Sequence, residues 1–419
     1  MEKQQTAKPV IRFPEFTDHW NNTKLSELLK EAKKRNGDLK YTKDEVLSVS
    51  GEMGIVNQIE HLGRSYAGAS VHNYHVVEVG DIVYTKSPLK ANPYGIIKQN
   101  KKKAGIVSTL YAVYNVKEEN AHGEFIEHYF SLDENTNRYL RPLVKKGAKN
   151  DMKISNAYVL HDKIFVPSVA EQKKITLFLN TLDKKIEQLK QKKSLIEEYK
   201  KGIMQKIFSQ ELRFKVDNGK DFPDWKEKKL GEIGTFQTSS VDKLSKENEK
   251  DVFLINYMNV YRHENINNET IKTFQIVTAK DNQIESCSLR KGDILFTPSS
   301  ETPDDIGHSV VIFEDLNNAV FSYHLMRFRP NIEIDILYSH YFCNTSDVLK
   351  QLTKLATGST RFTISVGSFS SVEIKLPSIK EQEKIATFLA TIDDKISRTQ
   401  GQIENTQAYK KGLLQKMFV

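Results

Sequence analysis

One phrase occurs twice in this chain, and the repetition constrains the fold more than any other feature. VPSVAEQKKITLFL occupies residues 166–179, and LPSIKEQEKIATFL occupies residues 376–389. The similarity continues without a gap over residues 166–208 and 376–418, with 19 identical positions of 43. An internal repeat of this length indicates that one structural unit has been duplicated. We therefore expect a pseudo-twofold fold built from two similar halves.

Each copy of the repeat predicts a long helix that begins at a Ser-x-x-Glu motif. Ser168 and Glu171 match a capping box, in which the serine hydroxyl accepts from an N–H of the first turn and the glutamate reaches back to the N–H of the cap. Ser378 and Glu381 match it in the second copy. Roughly forty helical residues at about 1.5 Å each would extend about 60 Å.

The apolar residues of both copies recur at alternating steps of four and three residues. This spacing is typical of coiled-coil helices. We therefore expect the two helices to pack against each other as a spacer; the alternative is an ordinary amphipathic helix buried on its own domain. The predicted seam consists of Ile175, Leu179, Leu182, Ile186, Leu189, Ile196 and Ile203 in the first copy and of Ile385, Leu389, Ile392, Ile396, Ile403 and Leu413 in the second.

The segments that precede each helix predict two variable domains of mixed α/β structure. They share short anchors, among them VGDIVYT at residues 79–85 and KGDILFT at residues 291–297, and diverge elsewhere. Stretches dense in Val, Ile, Tyr and Phe, such as residues 105–116, favour strands. The expected organisation is a first domain over residues 1–165, a central repeat helix over 166–212, a second domain over 213–375 and a C-terminal repeat helix over 376–419.

The composition argues against several other classes of protein. No apolar run approaches the ~18–20 residues that a membrane span requires, and the first residues lack the apolar core of a signal peptide, so we expect a cytoplasmic protein. Cys287 and Cys343 are too few for a disulfide framework or a cysteine-based zinc site. The net charge of +8 is compatible with a nucleic-acid partner. The sequence contains no phosphate-binding loop and no other catalytic motif, which favours a non-catalytic protein without a metal site.

The chain resembles the DNA specificity subunit of a type I restriction-modification system. The resemblance rests on VPSVAEQKKI, LPSIKEQEKI, the two GDI turns and TGSTRFTIS at residues 357–365. In the first half the last piece departs from the pattern, because KKGAKNDMKIS at residues 145–155 replaces it. The resemblance implies a mixed α/β fold with two structurally similar target recognition domains separated by two long antiparallel coiled-coil helices.

The resemblance also implies a function and a set of partners. Each domain would read one half of a bipartite double-stranded DNA target, and the helices would set the gap and bind two methyltransferase subunits. Two motor-nuclease subunits would complete the assembly. S-adenosylmethionine, ATP and Mg²⁺ are expected on those partners, and no cofactor is expected in this chain.

Physical reasoning favours the same function. Half-sites read from one side of a duplex lie about 34–36 Å apart, and paired helices hold such a separation better than a flexible linker does. An alternative is a non-catalytic adaptor that presents two α/β domains on a coiled coil to protein partners. A third hypothesis is a fused nuclease or methyltransferase, but the sequence contains none of the catalytic motifs that such an enzyme needs.

The candidate DNA contacts are basic runs suited to phosphates, and polar or aromatic side chains suited to bases. For each of them a solvated surface position is the alternative. The candidates are Arg64, Lys101, Lys102, Lys103, Lys145, Lys146, Lys149, Lys153, Tyr261, Arg262, Ser359, Thr360 and Arg361.

Overall fold

The computed structural model of the chain describes residues 6–68, 70–146 and 152–419. It divides into two compact units. Unit 1 comprises Met1–Gln191 with Gln400–Val419, and unit 2 comprises Lys192–Thr399. Over the described ranges, no helix is long and apolar enough to cross a membrane. Each unit includes part of both repeat helices, so the linear domain boundaries stay a prediction.

The first half of the chain forms thirteen strands and six α-helices among the described residues. They are β1 (Thr6–Ala7), β2 (Trp20–Lys24), α1 (Leu25–Leu28), β3 (Leu29–Glu31), β4 (Leu47–Ser50), β5 (Gly54–Asn57), α2 (Gln58–Leu62), β6 (His75–Val77), β7 (Ile82–Thr85), β8 (Ile96–Gln99), β9 (Gly105–Val107), β10 (Tyr111–Val116), α3 (Gly123–Phe130), α4 (Asp133–Leu140), β11 (Lys145–Lys146), β12 (Met152–Lys153), α5 (Asn156–Val159), β13 (Lys163–Val166) and α6 (Val169–Phe208). A 3₁₀ turn covers Lys43–Glu45.

The second half forms eleven strands and seven α-helices. They are β14 (Lys226–Lys229), α7 (Leu230–Ile233), β15 (Gly234–Thr238), β16 (Lys250–Ile255), α8 (Tyr257–Tyr261), β17 (Ile276–Ala279), α9 (Asp281–Cys287), β18 (Ile294–Phe296), β19 (Ser299–Ser300), β20 (Ser309–Val311), β21 (Ala319–Phe321), β22 (Met326–Pro330), α10 (Ile336–Phe342), α11 (Ser346–Leu355), β23 (Phe362–Thr363), α12 (Val366–Ser370), β24 (Glu373–Leu376) and α13 (Ile379–Met417). A 3₁₀ turn covers Thr270–Thr273.

The main sheets of the two units have the same topology. Unit 1 has a four-stranded sheet in the order β3-β10-β7-β8, and unit 2 has one in the order β15-β22-β18-β20. All neighbours in both sheets are antiparallel. The anchors GDIVYT and GDILFT supply the equivalent strands β7 and β18, and both strands are buried along their whole length. The mixed α/β fold class with two long helices is therefore confirmed.

The shared GDI turns have a common physical cause. Gly80 and Gly292 adopt φ values of +97° and +90°, a region in which glycine has no steric cost. The carboxylates of the following Asp81 and Asp293 accept the backbone N–H groups of Glu78 and Arg290, each at 2.8 Å. Each turn thus requires a glycine followed by an acceptor, and the repeat keeps both.

Each unit has a core to which both long helices contribute. In unit 1 the start of α6, with Ile175 and Leu179, shares a core with Leu413 and Met417 at the end of α13. In unit 2 the end of α6 shares a core with Ile385 and Leu389 at the start of α13. Within each unit the two helices therefore run in opposite directions.

Candidate nucleic-acid interface

The glutamates at the start of the two long helices have a different role from the one predicted for them. Glu171 is almost fully buried and accepts two hydrogen bonds of 2.7 Å from Arg12, and a third, of 3.3 Å, from Trp20 Nε1. Glu381 is fully buried and accepts from Arg213 at 3.2 and 2.9 Å. The prediction that they reach back to the cap was wrong, because a bidentate guanidinium stabilises a buried carboxylate more than one amide N–H does. We call these two ion pairs the arginine clamps.

The serine part of the capping box also differs between the two copies. The Ser168 hydroxyl accepts from the Glu171 N–H at 3.4 Å. In the second copy the equivalent N–H of Glu381 donates to the backbone carbonyl of Ser378 at 2.9 Å, and the Ser378 hydroxyl is buried without a hydrogen-bond partner among the described residues. The helices nevertheless begin at Val169 and Ile379, one residue after each serine.

The predicted seam residues are all buried or half-buried, and one lysine of each long helix pairs with an aspartate of the other helix. In unit 1 Lys410 forms an ion pair with Asp183. In unit 2 Lys200 forms one with Asp393. The two pairs occupy equivalent positions of the repeat, and each joins the two antiparallel helices within its own unit. Such pairs fix the register of one helix against the other.

The TGSTR segment of unit 2 forms a closed turn with an exposed tip. Thr357 and Thr363 exchange backbone hydrogen bonds of 3.0 and 2.9 Å, and β23 pairs with β19. A Cβ atom at Gly358 would lie 2.1 Å from the carbonyl oxygen of Arg361, so only glycine fits there. The tip residues Ser359 and Thr360 are exposed, as is Arg361. This tip is free to contact a ligand.

The structure brings Arg361 close to the aromatic candidate of unit 2. Arg361 Nη2 donates to Ser299 Oγ at 3.2 Å, and the hydroxyl of Tyr257 donates to the carbonyl oxygen of Ser299 at 3.0 Å. The ring of Tyr257 stacks on that of Tyr261 with centroids 5.7 Å apart. An arginine, exposed hydroxyls and two aromatic rings therefore share one region, which we call the reading face of unit 2. Arg262 follows Tyr261 and is exposed.

Both tyrosines of the reading face stay protonated at neutral pH. Burial raises the pKa of Tyr257, and the nearby Asp305 acts in the same direction. The pKa of Tyr261 is raised by its own 3.0 Å hydrogen bond to the Asp305 carboxylate. Their hydroxyls are thus hydrogen-bond donors held by partners within the unit.

In unit 1 most of the single candidates have partners of their own. Lys101 bridges Glu127 at 2.7 Å and Glu124 at 3.5 Å. Lys103 pairs with Glu60 at 3.4 Å on the exposed surface. The side chain of Lys102 is exposed. Lys101 is therefore the least available of the three for a phosphate.

The remaining unit 1 candidates lie on a small hairpin and a turn. Lys145 of β11 is exposed and lies opposite Lys153 of β12, and Lys146 belongs to the same hairpin. Lys149 lies outside the described residues. The guanidinium of Arg64 stacks over the ring of Tyr66 at 4.7 Å. No cluster of arginine, hydroxyl and aromatic side chains comparable to that of unit 2 is seen among these described residues.

Several residues of the reading face were not predicted from the sequence. Tyr257 precedes Tyr261 by one helical turn, and this spacing could have identified it. Ser299 and Asp305 come from other parts of the chain, and no local pattern connects them to Arg361. Within the described residues, no group of three or more His, Cys, Asp or Glu side chains is arranged to hold a metal ion.

Comparison of the sequence with known proteins finds similarity to specificity subunits of type I restriction enzymes. Residues 223–406 match the model of the type I restriction modification DNA specificity domain. The putative type I restriction enzyme MjaX specificity subunit of Methanocaldococcus jannaschii is 26% identical over 288 residues, which is 65% of this chain and 62% of that protein. The MjaVIII specificity subunit of the same organism is 24% identical over 272 residues, 60% of each chain. The alignments thus span about three fifths of these relatives' lengths.

Solved structures show the same fold. A chain from a study of complex assembly and conformational transition of the type I R-M system is 17% identical, with a TM-score of 0.59 over 95% of this chain and 96% of that one. The S subunit of a type I restriction-modification system from M. genitalium is 14% identical, with a TM-score of 0.53 over 99% of each chain. These likenesses concern the fold alone.

Proposed function

Because residues 223–406 match the type I restriction modification DNA specificity domain, we propose that the chain is a type I restriction-modification specificity subunit and selects the DNA sequence on which such a complex acts. Each unit binds duplex DNA and reads one half of a bipartite target. The observation that carries this proposal is duplication with divergence: both units share one sheet topology, one arginine clamp and one helix pairing, while their exposed loops differ. Two equal frameworks with different loops are what two different half-sites require.

In unit 2 the reading face supplies the chemistry for this task. Arg361 can donate two hydrogen bonds to the O6 and N7 atoms of a guanine, and the exposed hydroxyls of Ser359 and Thr360 suit phosphates or base edges. In unit 1 the exposed Lys145 and the lysines of its hairpin suit phosphates. Arg64, Lys102 and Lys103 are further candidates on the same unit.

The long helices set the gap between the half-sites. Each is a continuous helix of about forty residues, 40 in α6 and 39 in α13, and charged pairs fix the two against each other within each unit. The helices also bind two methyltransferase subunits, and two motor-nuclease subunits join the complex. S-adenosylmethionine, ATP and Mg²⁺ belong to those partners, while this chain is non-catalytic and acts in the cytoplasm.

The experiment that tests this function is binding by the chain together with its methyltransferase partner. The target is first read from the methylated sites of cells that express both proteins. We expect binding to a duplex with that target that is about 10³-fold or more tighter than to a scrambled duplex, and that weakens steeply with salt. Equal affinity for both duplexes, with protein partners still bound, would favour the adaptor function instead.

A further inference from the structure

Two histidines of unit 2 belong to one chain of hydrogen bonds beside the reading face. Nδ1 of His263 lies 3.1 Å from the carbonyl oxygen of Ser309, and its Nε2 lies 3.3 Å from Nδ1 of His308. Nε2 of His308 lies 2.8 Å from Oδ1 of Asp305. The other carboxylate oxygen accepts from the hydroxyl of Tyr261 at 3.0 Å. These hydrogen bonds therefore connect a buried backbone carbonyl to an aromatic residue of the reading face.

The partners in this chain determine where the protons lie. A carbonyl oxygen only accepts, so His263 carries its proton on Nδ1 and, when neutral, presents Nε2 as an acceptor. His308 must then donate from Nδ1 to His263. An ionised carboxylate also only accepts, so His308 must donate from Nε2 to Asp305 as well. A histidine that donates from both nitrogens is an imidazolium.

The environment of His263 agrees with its being the neutral member of the pair. Burial lowers the pKa of His263, the hydrogen bond to Ser309 raises it, and the charge of His308 lowers it again, with a net result below the ordinary value. Two adjacent imidazolium ions would repel each other. The positive charge of the pair therefore resides on His308.

The other titratable groups of this neighbourhood do not change charge near neutral pH. Burial lowers the pKa of His340, which lies on α10 and interacts with His263. The pKa values of Tyr257 and Tyr261 on α8 are raised, so both hydroxyls stay protonated.

We propose that protonated His308 is a positioning residue for DNA recognition by unit 2. It holds the Asp305 carboxylate that anchors Tyr261, whose ring lies 4.7 Å from the His308 ring. It also cancels the negative charge of Asp305, which is half-exposed beside a surface that binds polyanionic DNA. When His308 loses its proton, one hydrogen bond of the chain is lost and an uncompensated carboxylate faces the phosphates. Binding of the unit 2 half-site then weakens.

This inference rests on the proposed function, and its first test measures DNA binding against pH. The assay uses the full chain with its methyltransferase partner and the target duplex, at constant salt, from about pH 6 to about pH 8.5. Exposing one negative charge near the phosphates should weaken wild-type binding about three- to tenfold across this range. His308→Gln should bind weakly at every pH, because it cannot become a cation. Asp305→Asn should bind tightly at every pH, because no negative charge remains to be exposed.

The control is His61→Gln, which changes an exposed histidine on α2 of unit 1 and should keep the wild-type pH profile. A flat profile for the wild-type protein overturns the proposal. So does an Asp305→Asn protein that weakens with pH as the wild type does.

The second test needs no DNA and separates this inference from the proposed function. The full-length protein is labelled with ¹⁵N-histidine. The ring-nitrogen resonances of His263 and His308 are assigned by comparison with the His263→Gln and His308→Gln variants. At about pH 7 we expect both nitrogens of His308 to be protonated and His263 to carry one proton, on Nδ1. A neutral His308 refutes the proposal. A protonated His308 in a protein that binds no duplex selectively refutes the proposed function while the proton assignment stands.

Discussion

Loss of the arginine clamp of unit 2 should strongly destabilise that unit. Arg213→Met would leave the fully buried Glu381 without the guanidinium that provides two of its hydrogen bonds. Removing one partner of a buried ion pair costs about 3–5 kcal/mol, because the remaining charge is uncompensated. In unit 1, Arg12→Met should cost about 1 kcal/mol less, since Glu171 keeps the hydrogen bond from Trp20.

The two tryptophans of the chain allow each unit to be measured separately. Trp20 lies in unit 1 and Trp225 in unit 2, and both are buried. In a Trp20→Phe background, urea unfolding followed by fluorescence reports unit 2, and with a slope of about 2 kcal/mol/M the Arg213→Met midpoint should fall by about 1.5–2.5 M. The Arg12→Met variant is measured through Trp20 in a Trp225→Phe background.

A double variant tests the reason for the expected loss. Arg213→Met with Glu381→Leu removes the stranded charge and should recover most of the stability. A midpoint for Arg213→Met within about 0.5 M of the parent, or about 1 kcal/mol, would show that the ion pair contributes little to the stability of unit 2. A double variant no more stable than Arg213→Met would show that lost packing, rather than a buried charge, causes the effect.

Three further predictions concern the reading face, a turn and the chain termini. Arg361→Ala should weaken target binding by about 10- to 200-fold and relax selection in one half-site only. Arg290→Ala, which changes an exposed arginine of unit 2 outside the reading face and the long helices, should leave both unchanged in the same binding assay. Gly95→Ala should lower the free energy of unfolding in urea by several kcal/mol, because φ is +90° and a Cβ would lie 1.9 Å from the Thr85 carbonyl oxygen. Gly80→Ala, at φ +97° with open space around the added Cβ, should lower it by only about 1–2 kcal/mol. Equal losses for the two variants would contradict this difference. The backbone N–H of Ile11 donates to the carbonyl oxygen of Lys416 at 2.9 Å, and the N–H of Leu212 donates to that of Lys206, the equivalent residue of the repeat, at 3.0 Å. A circular permutant that joins the termini with a Gly/Ser linker and opens the chain after Gln210 should therefore fold, as judged by circular dichroism and urea unfolding. An unfolded permutant would contradict this equivalence.

The sequence predicted those features that depend on local periodicity. The heptad spacing and the repeated Pro-Ser placed the starts of α6 and α13 within one residue, and the GDI anchors identified two equivalent buried strands. Both features arise from neighbours along the chain. A hydrophobic seam and a turn that requires glycine therefore leave a direct trace in the sequence.

Features that depend on distant partners were not predicted. Glu171 and Glu381 match a capping box, but their partners Arg12 and Arg213 are 159 and 168 residues away, and the clamps replaced the local interpretation. The reading face likewise joins Tyr257 to Arg361 through Ser299. The candidate lysines were chosen by charge alone, and charge does not reveal that Lys101 is paired with Glu127. Long-range pairing decided each of these cases.

We propose that the paired helices hold the two units, each reading one half-site, at a fixed separation. Inserting seven residues after Leu189 in α6 and seven after Ile403 in α13 keeps the heptad register and lengthens both helices by about 10.5 Å. At about 3.4 Å per base pair, the methylated sites of cells expressing this variant with the methyltransferase partner should show both half-sites unchanged and a gap about three base pairs longer. Methylation at the original spacing would show that the helices do not set the gap.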